Sequence, residues 1–248
     1  MKIMKNIQPA RKLFLEFTGI LSALLLIVIN LTGCAGPDKK QIPSGGESGP
    51  AFSKPQNLPA ANESQLLQPP RIVKDLSPAS PQPANSALVP GLSVVYFYSY
   101  FARHLNPLSK NKLPNKKGRP GQPIPFLNHQ FGRSEVFDSG TNRGVAMRMN
   151  GLMRFAETGS YTFLALSNDG LRVYLSGQMI IDDPTQHSDR YAIRAVAKIT
   201  DPGWYPVMVE YFQRKGTAAI GLFWRQPGAD KFEPVPPETY AHILGTVQ

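Results

Sequence analysis

Apolar and polar positions alternate through the C-terminal three-fifths of the chain. Val145–Phe155 sets Val145, Met147 and Met149 against Ala146, Arg148 and Asn150; Trp204–Phe212 places Tyr205, Val207, Val209 and Tyr211 on one face; Ala218–Trp224 alternates Ala218, Ile220, Leu222 and Trp224. A period of two is that of a strand with one buried face. Leu92–Phe101 is rich in Val, Tyr and Phe, Ser160–Leu166 puts Tyr161, Phe163 and Ala165 on one side, and Tyr191–Ile199 alternates as well. Leu171–Leu175 and Met179–Ile181 flank Ser176-Gly177, a two-residue hairpin signal. No segment has a helical period of useful length. The pattern predicts an all-β fold, an antiparallel, jelly-roll-like β-sandwich over residues 91–241, with 242–248 as a C-terminal tail. Tyr161, Phe163, Tyr211 and Trp224 are expected in its core, and Gly159 and Gly170 at positive φ.

The N-terminal part has a different pattern. Lys2, Lys5, Arg11 and Lys12 precede an apolar stretch from Phe17 to Leu31, shorter than the about 20 residues that cross a bilayer. This is the shape of a signal peptide, expected over residues 1–33. Leu31-Thr32-Gly33-Cys34 resembles the lipobox of bacterial lipoproteins, which implies acylation of Cys34 and a membrane anchor made by the acyl chains. Ala35 in place of an aspartate implies, by the same resemblance, the outer membrane. Cys34 is the sole cysteine, so an intramolecular disulfide and a cysteine metal cluster are both excluded.

Residues 34–90 are expected to be a disordered tether. From Ala35 to Pro90 lie 11 of the 24 prolines, among small and polar residues. Such a composition buries too little apolar surface to offset its ordering entropy. The apolar pieces Leu66-Leu67 and Arg71-Ile72-Val73 read as incidental composition or weak docking sites.

The formal net charge of +10 is unevenly spread. Arg103 to Arg133 holds seven Lys or Arg residues and no Asp or Glu, whereas charges nearly balance elsewhere in the C-terminal domain. A local basic run argues against a nucleic-acid-coating protein, whose cations spread along a face. Lys110, Lys112, Lys116, Lys117 and Arg119, among prolines, form a basic loop that is either simply solvated or a contact for acidic glycans, lipopolysaccharide phosphates or an acidic envelope protein.

The order of motifs resembles one family. Tyr96-Phe97-Tyr98, Met149-Asn150-Gly151-Leu152, Glu157 to Phe163, Ser167-Asn168-Asp169-Gly170, Ile180-Ile181-Asp182, Gly203 to Val207 and Leu222-Phe223-Trp224 are similar to the protective-antigen fourteen-kilodalton domain. The resemblance implies a β-sandwich whose commonest role is carbohydrate binding, often through Ca²⁺. In the calcium-dependent adhesins an Asp-Asp pair at the turn matching Asn168-Asp169 holds the ion. Here the first position is Asn, which still offers an amide oxygen but one anionic ligand fewer. The alternative is a tight turn whose Asx side chains cap their own backbone.

Asp182 and Asp183, expected at a strand end, are a second acidic pair. With Asp189 they form either a solvated loop or part of an oxygen-rich ion site. The expected ligand contacts are thus Asn168, Asp169, Asp182 and Asp183, with Asn168, Asp169 and Asp182 as the metal set. For catalysis the sequence offers no Gly-x-Ser-x-Gly elbow, no histidine pair at helical spacing and no phosphate loop. His104, His129, His187 and His242 are scattered, and sequence cannot place Asp182 and Glu210 at a glycosidase separation. The expectation is an envelope-anchored, non-enzymatic lipoprotein that binds carbohydrate, with a structural lipoprotein docking on another envelope protein as the alternative.

Overall fold

The computed structural model describes residues 58–113 and 117–245. Cys34 and the expected signal peptide lie outside the described residues. The strands in chain order are β1 (Arg71–Val73), β2 (Leu88–Pro90), β3 (Ser93–Tyr98), β4 (Arg119–Pro120), β5 (Asn128–Gly132), β6 (Val145–Phe155), β7 (Gly159–Asn168) and β8 (Leu171–Leu175). They continue as β9 (Gln178–Asp183), β10 (Arg190–Tyr191), β11 (Ala195–Ile199), β12 (Gly203–Gln213), β13 (Ala218–Arg225), β14 (Glu233–Pro234) and β15 (Tyr240–Ile243). Two sheets result: one in the order β1-β11-β7-β13-β14, with β10 beside β7 and β5 beside β13, and one in the order β2-β15-β6-β12-β8-β9, with β3 bridging β6 and β4. All pairings are antiparallel except β1 with β11. The alternating runs named above form strands, except that Tyr191–Ile199 is broken at residues 192–194 into the end of β10 and β11, and the fold is the expected β-sandwich.

The faces predicted from the period of two meet in the core. Met147, Met149 and Phe155 of β6 and Tyr205, Val209 and Tyr211 of β12 face Tyr161, Phe163, Ile220 and Trp224 of the other sheet. The Phe155 ring lies edge-on to Tyr161 at 4.8 Å and to Tyr205 at 5.1 Å between centroids, the arrangement aromatic quadrupoles prefer. Ser176 and Gly177, at φ 50° and 76°, make the expected two-residue hairpin.

Gly159 has positive φ as expected, but Gly170 does not. Its lack of a side chain answers to crowding instead. A Cβ there would stand 2.6 Å from Phe212 Cε1 and 2.7 Å from the Pro184 carbonyl carbon.

The outer faces are covered by segments that alternation alone does not reveal. Leu164 and Leu166 of β7 and Ala219 and Phe223 of β13 point away from the core, and with Tyr191 and Phe232 they are sealed by Leu58, Ala61 and Leu66. The tether expected up to residue 90 therefore gives way to a packed strap from Leu58 onward. Its backbone is tied at Asn62, which donates to Asp189 O at 3.0 Å and accepts from Tyr191 N at 3.0 Å, while Tyr191 Oη donates to Pro59 O at 2.7 Å. Val73 and Leu76 reach the main core. The correction has a plain cause: proline disfavours helices and interior strands but suits an extended edge segment, and the few apolar residues of the strap fall where an apolar sheet face needs cover.

On the other sheet, residues 100–113 and the short helical turn α1 (Asn106–Ser109) lay Tyr100, Leu105, Leu108 and Leu113 against Ala146 and Phe212. A buried Glu210 fastens this cover. It pairs with Arg148 at 2.9 Å and accepts from Ser109 Oγ, while Arg148 also donates to Leu108 O at 2.9 Å. Among the described residues no helix is long and apolar enough to cross a membrane.

Candidate ligand-binding turn

β7 ends at Asn168 and β8 begins at Leu171, so the turn between them crosses from one sheet to the other. The Asn168–Asp169 peptide is cis. Asp169 N donates to Phe212 O, and Phe212 N to Gly170 O, both at 3.2 Å, which holds the turn on β12. Tyr211 Oη donates to Asn168 O from below. Both side chains are largely buried, Asn168 at 5% and Asp169 at 2% exposure. Even so, both line an open depression of about 440 Å³, within the roughly 300–1,000 Å³ of small-ligand sites.

Three other loops complete the depression. The β12–β13 turn brings Lys215 and Thr217, the loop after β9 brings Gln186 and His187, and the segment before α1 brings Arg103. Each is fixed from behind. Gln213 Nε2 donates to Gly216 O at 3.3 Å and Thr217 O at 3.1 Å, and Gln186 N donates to Arg103 O at 2.9 Å.

Within the turn, Asn168 Nδ2 donates to Asp189 Oδ1 at 2.7 Å and to Thr217 Oγ1 at 3.1 Å. Asp169 Oδ2 accepts from Arg214 N at 2.7 Å. Burial pushes the Asp169 carboxyl above the ordinary carboxylate range, only partly opposed by the Arg214 N–H and by His187. Behind it, Asp183 has the opposite shift. Burial raises its pKa, but His187 and Arg190 outweigh that and hold it below the usual value. Arg190 Nε donates to Asp183 Oδ2 at 3.0 Å, and His187 Nε2 stands 3.1 Å from the same oxygen.

The structure separates the two halves of the expected acidic pair. Asp183 turns toward His187 and the turn, whereas Asp182, the next residue of β9, points to the opposite face, as alternation in a strand requires. There it is 42% exposed and accepts from Arg172 Nε at 2.8 Å. Arg172 in turn donates to Ser109 Oγ at 2.8 Å, within the network that holds α1. Asp182 therefore does not join Asn168 and Asp169 as a common ligand set, and Glu210 is already committed to Arg148 and Ser109.

Calcium coordination takes 6 to 8 oxygens. After the bonds just described this turn offers Asn168 Oδ1 and an Asp169 carboxylate already bonded by two backbone N–H groups, those of Arg214 and His187, and Asp183 is committed to Arg190. Among the described residues no three His, Cys, Asp or Glu side chains gather where they could hold a metal ion.

The expected basic loop is only partly a loop. Lys110, Lys112 and Lys117 are exposed, and Lys116 lies outside the described residues. Arg119 belongs to β4, where Nε donates to Tyr98 Oη at 2.7 Å and Nη2 to Asp138 O at 2.6 Å, with the guanidinium over the Tyr96 ring. Arg103, Lys215, Thr217 and His187 were not singled out by the sequence reading. They come from three loops far apart in the chain, and only the basic run beginning at Arg103 hinted at any of them.

Together these observations define a class: a two-sheet antiparallel sandwich with loops from both sheets gathered around an open polar depression at one end. The PA14 domain matches residues 111–237, and the chain belongs to that family. Among curated proteins it is similar to the anti-sigma-I factor RsgI3 of Acetivibrio thermocellus, at 30% identity over 83 residues, 32% of this chain and 12% of that protein. Among solved structures it is similar to an anti-sigma factor domain-containing protein, with TM-score 0.53, 18% identity, and 64% of this chain and 50% of the other covered. It is also similar to the PA14 domain of the MpAFP antifreeze protein, with TM-score 0.52, 15% identity, and 66% and 96% covered. The chain thus spans about an eighth of the curated relative and half of the solved anti-sigma chain.

Proposed function

We propose that this protein is a carbohydrate-recognition module that binds a saccharide in the depression beside Asn168 and Asp169. The supporting observation is the turn itself. Its two polar side chains and those of Thr217, Gln186 and Arg103 converge on one open concavity, the arrangement that fixes an orientation by a few placed polar groups. Membership of the PA14 family, whose commonest role is carbohydrate binding, supports the same reading.

In this proposal Cys34 anchors the chain to the bacterial envelope, and the module binds without catalysing a reaction. A glycan array with the full chain tests it: retention of a defined glycan class is expected, and its loss in Thr217→Ala with the fold retained at the assay temperature. An array without a single retained glycan would refute the reading. For the anchor, Cys34→Ala is expected to abolish incorporation of labelled palmitate. Docking on an acidic envelope partner is a second reading, favoured by the exposure of Lys110, Lys112 and Lys117 on one stretch of chain.

A further inference from the structure

We propose that the depression takes an acidic saccharide, one bearing a carboxylate, sulfate or phosphate, and binds it directly through Arg103 and Lys215 without a bridging calcium ion. The inference rests on the carbohydrate-recognition reading and names the ligand class of that same site.

The argument begins with the charges at the mouth. Arg103 and Lys215 are both exposed and both line the depression, and neither side chain is engaged in an ion pair. Their positions are fixed by backbone, through Arg103 O accepting from Gln186 N and through the Gln213 clamp under the Lys215 turn. Two unmatched cations on rigid loops around one concavity focus a positive potential into it.

The anions nearby reduce this field without cancelling it, since Arg103, Lys215 and Arg214 outnumber the two carboxylates without an ion-pair partner, Asp169 and Asp189. Asp169 is 2% exposed, and its Oδ2 is held by the Arg214 N–H. Asp183 is equally buried and is paired with Arg190. Asp189 accepts from Asn168, and Arg214, whose Nε donates to Phe101 O, adds a further cation behind the turn. A calcium ion in such surroundings would find Asn168 Oδ1, a carboxylate already bonded by two backbone N–H groups, and two opposing cations. An anionic substituent would find two cations and the hydroxyl and amide donors of Thr217 and Gln186. Guanidinium in particular matches a carboxylate or a sulfate by paired, charge-assisted hydrogen bonds.

The test is calorimetric titration of the full chain in buffer containing EDTA, with two probe pairs that share a backbone and differ in charge: oligogalacturonide against its methyl ester, and dextran sulfate against dextran. At least one acidic form is expected to bind about tenfold or more tightly than its neutral counterpart, as two exposed charge pairs together allow. That preference is expected to vanish in Arg103→Gln/Lys215→Gln and to persist in Lys110→Gln/Lys112→Gln/Lys117→Gln, with all melting temperatures unchanged. Equal binding of charged and neutral forms, binding that appears only with calcium, or a preference that disappears with the triple variant instead would overturn the inference and leave carbohydrate recognition standing. No binding of these probes together with an empty glycan array would sink both.

Discussion

The strap over the outer face of the first sheet offers a test with its own control, because adjacent leucines sit in opposite surroundings. Leu66 is 4% exposed and packs with Leu164, Leu166, Tyr191 and Phe223, whereas Leu67 is 89% exposed. Leu→Ala in a core costs about 2–5 kcal/mol, the transfer of the lost methyl groups plus the cavity left behind. Leu66 belongs to a four-residue 3₁₀ turn at the edge of the fold, which can settle into part of the space, so the lower end applies, about 2–3 kcal/mol. For a domain of this size that corresponds to a fall in Tm of roughly 5–10 °C. Leu67→Ala is expected within about 0.5 kcal/mol of wild type. Urea unfolding of the full chain and its two variants measures both numbers under identical conditions. If Leu66→Ala and Leu67→Ala were indistinguishable, the strap would not be packed and the domain would begin nearer residue 91.

Two further substitutions probe the turn and its surroundings. Asp183→Asn is expected to cost about 2–3 kcal/mol at neutral pH, because it leaves Arg190 without its buried counter-charge. Since the folded pKa of Asp183 is depressed, the stabilisation is complete above the unfolded value of about 3.9 and lost as pH falls through the folded one. Melting curves of wild type and variant should therefore converge in acid, and a gap independent of pH would contradict the pairing. Gly170→Ala drives a Cβ into Phe212 and the Pro184 backbone and is expected to destabilise by about 1–3 kcal/mol. Gly177→Ala, with open space but positive φ, should cost about 1 kcal/mol. Equal melting temperatures for the two variants would show that the crowding at residue 170 relaxes freely.

What the sequence made legible depended on how many neighbours a residue needs in order to be understood. Strands β6, β12 and β13 announce themselves because a period of two is a local property, and Ser176-Gly177 announces its hairpin because Gly177 adopts positive φ without steric cost. Asn168 and Asp169 were legible as a turn at the end of β7. The partition of Asp182 from Asp183 needed only the strand period extended by one residue past the point where the acidic pair seemed to end it. Leu58 to Leu76 was illegible for a different reason. Its composition is that of an unfolded chain, and its fold comes from the apolar outer faces of β7 and β13, more than 80 residues away in sequence. Arg103 and Lys215 likewise acquire meaning only when two distant loops meet.

The strap also links the N-terminal side of the chain to the turn at residue 168. Asn62 holds the backbone on both sides of Arg190, through Asp189 O and Tyr191 N, and the carboxylate of Asp189 holds the amide of Asn168. Traction applied upstream of Leu58 reaches Asn62 before any strand of the sandwich. Peeling the strap as far as Asn62 would take hold of the loop that braces the turn at residue 168, so in the proposed glycan-binding role grip and pull from the N-terminal side would share a single mechanical joint.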